Sequence, residues 1–560
     1  MDISEEKKDL YELLDFTDTK KEYILNNLIN RNIYYNSIDV SDDVYKDTSI
    51  DQWCEILPNL EGSKILIKKL IHNPINDIEL LKNRQLLYKY YDIDFTTLKD
   101  YENDILWIYS LNEEVKQNNL INILFPSTYI INNINYINIV LEFYHIYKIY
   151  LTPLSNIIYP LISFLAPWYY LNKVMRFNLS LQTYIKMLYE IFKMIFSFSS
   201  GDLKSNLVKI FSISFYIILF IYNIYQTIEY SYMLYDIKNT LYKKIFNLNI
   251  FLKEAIDIIK KVPNNIIKPF INLDINFDIN SLILDDNMTN IYRIWKHDEI
   301  KENISKILLS IYTIDIIYSI SKLKKYWCLP CYNDKVEIWK MKNPLLPMNQ
   351  TTNPVDLNKN IIITGPNAAG KTTYVKTILF NIILSQTLGI CYAAKANTII
   401  YDNIASFMRI TDVLGSKSYF EAEAEYCLKM MTKAKLLADN NKKGLFLMDE
   451  PMHSTPPTEG MATAFAVAEY LGNLQGINII LTTHFHKLTE LATIYPKKFI
   501  NISVEAIPKE NGGFIFPYQI KKGYSYQCIA IELLDSKEFP KSVIESAINM
   551  KNKIYNEINR

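Results

Sequence analysis

A chain of 560 residues, 49% of them apolar, is too long for one ordinary domain and predicts three or four folding units with large cores. Its 60 Lys and Arg balance 60 Asp and Glu. That balance excludes a protein that wraps nucleic acid by overall charge, and leaves a local basic patch as the electrostatic route to DNA. Six scattered cysteines and an acidic, polar N-terminus without a signal-peptide pattern exclude a disulfide-built secreted domain and point to an intracellular protein, in cytoplasm or nucleus.

In chain order, residues 1–51 predict an N-terminal helical segment. Residues 52–330 are almost free of glycine: only Gly62 and Gly201 precede residue 365, and the other eleven follow. Their periodic Leu, Ile, Lys and Asn stretches predict a mostly helical region with an apolar middle at about 120–235. Inside it, Leu151–Leu171 has no charge but is broken by Pro153, Pro160 and Pro167; Ile210–Gln226 is uncharged between Lys209 and Glu229. The second is slightly shorter than the ~20 residues of a membrane span. Both stretches (151–171 and 210–226) carry two readings: buried helices of a large helical domain, or a hairpin that enters or lies on a membrane. From Tyr150 to Tyr235 only six of 86 residues are Lys or Arg, sparse for a phosphate-gripping surface. Cys328-Leu-Pro-Cys331 is a lone C-x-x-C without the second pair a zinc site needs, and reads as a turn at Pro330. Pro330, Pro344, Pro347 and Pro354 then mark a boundary. Residues 331–535 alternate β-branched runs, glycine turns and helical stretches, the pattern of an α/β domain, and 536–560 predict a C-terminal helix. The fold class is α + α/β.

Three apolar strands in the last third end in groups that carry chemistry. The run Ile361 to Thr364 leads into Gly365-Pro366-Asn367-Ala368-Ala369-Gly370-Lys371-Thr372-Thr373, a G-x-x-x-x-G-K-T loop opening a helix. Glycines there let backbone N–H groups close round the phosphates of ATP, and the helix N-terminus faces them. Lys371 would reach the β and γ phosphates, and the Thr372 hydroxyl would sit on Mg²⁺. Gly444 to Asp449-Glu450 ends in two acids, one suited to the metal (Asp449) and one to the attacking water (Glu450). Ile479 to His484 places a histidine to sense the γ-phosphate. Lys371, Glu450 and His484 are the candidate catalytic set, and Thr372 and Asp449 the candidate metal ligands.

These motifs resemble the ATPase of the MutS DNA mismatch repair family, a branch of the ABC ATPases. Gly365 to Lys371 matches its G-P-N-x-x-G-K. Asp449 to Gly460 has the length of its D-E-I-G-R-G-T-S-T-Y-D-G, and Thr482-Thr483-His484 is similar to its A-T-H. Ser418-Tyr-Phe420-Glu-Ala-Glu423 lines up with S-T-F-x-x-E, the element that approaches ATP held by the opposite subunit, which adds Ser418 to the ATP-binding set. Gly523-Tyr-Ser525-Tyr526 fits G-x-S-Y. More faintly, Leu60 to Pro74 with Asn83-Arg84-Gln85 looks like the start of the family's core domain, and Asp315 to Ser319 like its closing helix. The resemblance implies a helical core and lever region followed by a C-terminal ABC-type P-loop ATPase domain, using ATP and Mg²⁺, dimeric, and acting on DNA. Pro451, Met452, His453 and Ser454 depart from Ile-Gly-Arg-Gly, and Asn343 replaces a usual His. With about fifty residues before the core, the mismatch-recognition domain is expected to be absent, and with it direct reading of mispairs. The expected function is a MutS-like ATPase whose dimer closes on ATP, in DNA repair or recombination. The alternative is a membrane- or partner-associated mechanical ATPase in which the apolar middle replaces the DNA clamp.

Overall fold

The glycine-poor, periodic sequence becomes helix through most of its first two-thirds, and sheets follow. The computed structural model describes residues 17–34, 38–89, 91–110, 123–126, 132–196, 203–263, 265–273, 286–408, 419–453, 456–509, 513–525, 527, 529–537 and 539–558. They gather into two units that interleave along the chain: Met1–Asn27, Thr96–Asp257 and Asn276–Leu308 in one, Leu28–Phe95, Ile258–Ile275 and Leu309–Arg560 in the other. The division drawn at 330 falls where strand follows helix, the one drawn at 51 falls inside the helix Ile50–Ile56, and neither is an edge of these units.

The first unit is helical. α1 (Thr152–Lys173) carries one proline in its first turn, where a missing N–H is harmless, and Pro160 and Pro167 inside it. The path bends by 60° between Asn138–Pro160 and Ile162–Lys173, as expected where a proline ring removes a helical hydrogen bond. α2 (Leu181–Phe196) turns back beside it: the Tyr184 hydroxyl donates to Phe164 O at 2.7 Å, and Asn172 closes the turn on both backbone groups of Leu179. α3 (Leu203–Lys260) is 58 residues long, roughly 90 Å at helical rise. Its later half buries Leu234, Ile237, Leu241, Ile245, Leu248 and Leu252 as one stripe at helical spacing. Lys238 and Lys244 flank the stripe and pair with Glu142 and Asp104 at 2.7 and 3.0 Å.

The buried-helix reading of the two uncharged stretches is overturned. Tyr159, Phe164, Tyr169 and Tyr170 on α1, and every residue from Tyr216 to Tyr222 on α3, are exposed. The apolar face that this unit buries starts only at Met233, two residues after the Ser231 hydroxyl donates to Ile149 O.

The second unit holds a seven-stranded sheet: β1 (Asp39–Val40), β2 (Asn360–Thr364), β3 (Asn403–Phe407), β4 (Gly444–Asp449), β5 (Ile477–Thr482), β6 (Phe499–Val504) and β7 (Ile520–Lys522), in the order β1-β3-β4-β5-β2-β6-β7. All neighbours are parallel except β6 and β7. Strands β2 to β5 are apolar along their length because helices cover both faces of such a sheet. One face packs on α5 (Tyr419–Asp439, with α4 defined as Lys371–Thr387) and on the helix Pro457–Asn473, around Ile362, Phe446, Ala464 and Leu481. The N-terminal segment, expected to be helical throughout, supplies β1: Asp39 and Val40 pair with Asn403 and Ile404, a two-residue strand too short to show a period. A second sheet orders Cys331–Tyr332, Lys395–Thr398, Glu337–Met341 and Asn353–Asp356. Here the turn reading at Pro330 gives way to extended chain, with Cys328 and Cys391 exchanging backbone hydrogen bonds at 2.7 and 2.9 Å.

The residues of the fainter resemblance fasten this unit. The Asp315 carboxylate accepts from Leu60 N and Asn59 N, both at 2.9 Å, at the start of the helix Glu61–Ile71. Arg84, fully buried, donates to Thr387 O and, at 2.7 Å, to Pro269 O. Tyr88 donates to Leu388 O at 2.7 Å and Gln85 to Gly389 O at 3.1 Å, so three side chains hold the C-terminal end of α4.

Candidate functional site

β4, β5 and β2 are neighbours, and their carboxyl ends open at one edge, the place where parallel sheets present ligand-binding groups. The turn after β2 has room for backbone only. A Cβ on Gly365 (φ +145°) would lie 2.2 Å from Val504 O, and one on Gly370 (φ +96°) 2.9 Å from the Tyr518 ring. Ala368 also takes left-handed backbone, at φ 65°. Pro366 O accepts from Ala369 N at 3.3 Å, which rounds the loop into the first turn of α4. Thr373 follows on that turn, its carbonyl bonded by the Thr377 hydroxyl at 2.7 Å.

Lys371 is 5% exposed, and its Nζ donates to Gly365 O at 2.9 Å and Pro366 O at 3.4 Å. Burial pushes this ammonium below its ordinary pKa, and the charges of Glu450 and Asp449 oppose that shift. The Thr372 hydroxyl donates to Asp449 Oδ2 at 3.0 Å, while Asp449 Oδ1 accepts from the Thr482 hydroxyl on β5. Glu450 N donates to Thr482 O at 3.0 Å. Its side chain reaches His484 Nε2 at 2.7 Å and Lys371 Nζ at 3.7 Å. Those contacts, the histidine first, hold the Glu450 carboxyl below its ordinary pKa. His484 Nε2 also lies 2.8 Å from Asn367 Oδ1. The fold thus brings together Lys371, Thr372, Asp449, Glu450 and His484. Ser418 lies outside the described residues, as do Ser454, Thr455 and Tyr526.

Two further features were not read from sequence. Thr482 stood in the Thr-Thr-His string without a role, and it clamps Asp449 and the Glu450 backbone together. A cavity of about 560 Å³ opens beside the loop, walled by Met341, Leu346, Pro347, Gln350 and Tyr518 opposite Lys371, Thr372 and Glu450, a volume in the range of small-molecule sites. Its far wall comes from residues 341–353, irregular chain whose only sequence signal was its prolines. Asn343 N donates to Gln350 Oε1 at 2.8 Å there and shapes that wall. Glu450 and Met452 both take left-handed backbone (φ 52° and 61°), a conformation disfavoured for side chains with a Cβ. Glu423, wholly buried on the first turns of α5, accepts from Met452 N at 2.5 Å.

Residues 361–555 match the family model for MutS domain V. Over those residues this is a MutS-family protein. The chain is 28% identical over 271 residues to the DNA mismatch repair protein MutS of Listeria welshimeri, covering 46% of this chain and 30% of that relative. It is 33% identical over 204 residues to the protein of that name from Fusobacterium nucleatum, covering 36% and 21%, and 30% identical over 204 residues to the one from Pseudothermotoga lettingae, covering 36% and 24%. The matched region therefore spans less than a third of these MutS relatives. Within it lie the loop, all three strand ends and α5.

Proposed function

We propose that this MutS-family chain binds and hydrolyses ATP with Mg²⁺, that two copies close on the nucleotide, and that the cycle serves DNA repair or recombination. The observation that carries the reading is the convergence of Lys371, Thr372, Asp449, Glu450 and His484 at three adjacent strand ends beside a cavity of nucleotide size. The names of the relatives, DNA mismatch repair proteins, support work on DNA.

The donor set suits both groups. Backbone closeness at Gly365 and Gly370 leaves space for phosphate oxygens, held by loop N–H groups and by Lys371 once it turns from the loop carbonyls. Thr372 and Asp449 offer only oxygen, as a hard cation requires; Mg²⁺ commonly takes one or two protein oxygens besides phosphate and water. When bound, the metal neutralises charge on the phosphate oxygens. Glu450, kept ionised, orients the attacking water and takes its proton, and His484 fixes Glu450 while facing the γ-phosphate. Ser418 of the partner subunit completes the site in this reading.

The test is ATP turnover by the purified chain, with and without duplex and branched DNA at two salt concentrations. Turnover lost in Lys371→Ala and DNA binding that weakens steeply with salt are expected; a chain that neither binds nor hydrolyses ATP overturns the proposal. A second reading, a membrane-associated mechanical ATPase, is favoured by one observation, the exposed, uncharged stretch Tyr216–Tyr222 of α3.

A further inference from the structure

We infer that α1, α2 and Leu207–Tyr225 of α3 form an arm that embeds in one leaflet of a phospholipid bilayer, entering and leaving by the same face; this rests on the second reading above and gives it a topology. The two ends of the arm meet. The Ser231 hydroxyl on α3 donates to Ile149 O just before α1, and behind it Lys238 pairs with Glu142 and Lys244 with Asp104 at 2.7 and 3.0 Å. A chain that leaves the unit at Thr152 and has returned by Ser231 keeps the rest of that unit on one side of whatever the arm enters.

What covers the arm is decided by how it is exposed. Between Lys209 and Glu229 α3 carries no charge. Tyr216, Ile217, Ile218, Leu219, Phe220, Ile221 and Tyr222 are consecutive, and each is 39–71% exposed. Seven consecutive helical residues point in every direction round the axis, so the segment is apolar on all sides. A second copy or a protein partner covers one stripe of a helix; liquid hydrocarbon covers all of it. On α1 and the turn after it, Tyr159, Ile162, Leu165, Tyr169, Val174 and Phe177 are exposed too. Tyrosines, with an apolar ring and a polar tip, suit the level of the headgroups. The apolar run stops at Tyr225: the amide oxygen of Gln226 is already buried in the protein, so the helix from there on belongs to the base of the arm. The chain also shows what it does with an apolar helix meant for its own core. Asp298–Lys322 is long and apolar enough to cross a membrane, yet 83% of its apolar window is buried.

α2 fixes the depth. Lys186, Glu190 and Lys193 fall on one face at intervals of four and three, while Ile185, Met187, Tyr189, Ile191 and Met194 are exposed around the rest. A charged stripe on an otherwise apolar helix suits the boundary between headgroups and acyl chains. That boundary is the near one. α2 docks on α1 at Phe164, through the Tyr184 hydroxyl at 2.7 Å and through the Phe192 ring, whose centroid lies 6.0 Å away. From Thr152 to Phe164 a straight helix rises only roughly 18 Å, and the 60° bend shortens that reach. Hydrocarbon about 30 Å thick puts the far boundary out of range, so the arm stays in the leaflet it enters.

The test adds the full chain to preformed vesicles of phosphatidylcholine and phosphatidylglycerol and reads flotation at low and high salt. The wild type is expected to float at both, because apolar embedding, unlike attraction to headgroup charge, survives salt. Ile218→Lys and, separately, Ile221→Lys should each lower the partition into vesicles by on the order of tenfold, the effect of a lysine between a bilayer's surface and its midplane. Ile56→Lys, at an exposed position outside the arm, should leave partition unchanged. ATP turnover of all three variants in detergent should equal that of the wild type. Topology is read with a membrane-impermeant amine reagent on intact vesicles: Lys173, Lys186 and Lys193 should react from outside. If they react only once the vesicles are opened, the arm crosses, which overturns the one-leaflet embedding and leaves the second reading standing. Flotation lost at high salt, or lowered as much by Ile56→Lys, overturns the embedding as well. A wild type that stays in the soluble fraction at both salt concentrations overturns both.

Discussion

Lys371 is the residue on which most of the local electrostatics turns. It is buried, bonded to the carbonyls of its own loop, and close to Glu450 and His484. Lys371→Ala should lower ATP turnover by about a hundredfold or more, the scale of removing one preorganised charge from a developing anion. Glu450→Gln keeps the shape and the bond to His484 but removes the proton acceptor. It should retain ATP binding, measured by a fluorescent analogue, while single-turnover hydrolysis slows by about 10²- to 10⁴-fold; normal turnover would remove Glu450 from its role. A different residue sets a pH dependence. His145 is buried in the first unit, with Nε2 on Leu124 O at 2.8 Å and, among the described residues, no partner at Nδ1. Burial, first, pushes its pKa below the ordinary value, and the Lys238 charge adds to this. A base with a depressed folded pKa takes its proton less readily folded than unfolded, so stability is lost as pH falls through the unfolded value of about 6.5. Melting followed in mild detergent from pH 7.5 to 5.5 should show that loss, and His145→Gln, which keeps a donor for Leu124 O, should flatten it. An unchanged slope in the variant would assign the effect elsewhere.

At the scale of elements, one close contact between helices is at Gly62. A Cβ there would lie 2.1 Å from the ring of Tyr312 on the helix Asp298–Lys322, so Gly62→Ala forces two helices apart and should destabilise by about 1–3 kcal/mol or more. Denaturant unfolding would measure it, and Tyr312→Leu, by removing the ring, should make the double variant clearly less than additive. Equal losses with and without the ring would mean that the glycine acts through the backbone. This contact also shows where sequence reading stops. The strands β2, β4 and β5 were legible because each is a continuous apolar run ending in a turn signal, and the loop motif is local. Gly62 stood out by its rarity, but nothing near it names Tyr312 as the reason, 250 positions away. β1 and the second sheet were illegible for the same cause: strands of two to five residues take their conformation from distant partners. Composition marked the apolar middle but could not say what covers it, because burial belongs to the fold and apolarity to the residue.

At the scale of the whole molecule, the proposed dimer makes each site depend on two chains, and α5 links them. Ser418 immediately precedes α5, and Glu423 on its first turns holds Met452 N, two residues past Glu450. The element that would reach the partner's nucleotide is therefore strutted against the water-activating loop of its own chain. Lys371→Ala chains mixed with Ser418→Ala chains should regain activity. In a mixed two-fold dimer one site keeps an intact Lys371 and an intact partner Ser418, so random pairing gives roughly a quarter of the wild-type rate. Mixtures no more active than the separate variants would sink the shared site, provided labelled subunits are seen to exchange. Glu423→Ala then asks what the strut does. In the Ser418→Ala chain, which holds the working Lys371 and Glu450, its loss should slow hydrolysis by loosening the Glu450 loop. In the Lys371→Ala chain, whose own site is already dead, its loss should slow the partner's site by loosening the helix that presents Ser418. A strut supports both of its ends, so a loss is expected from either placement. Loss from the first placement alone would confine Glu423 to its own site and leave the two sites mechanically separate.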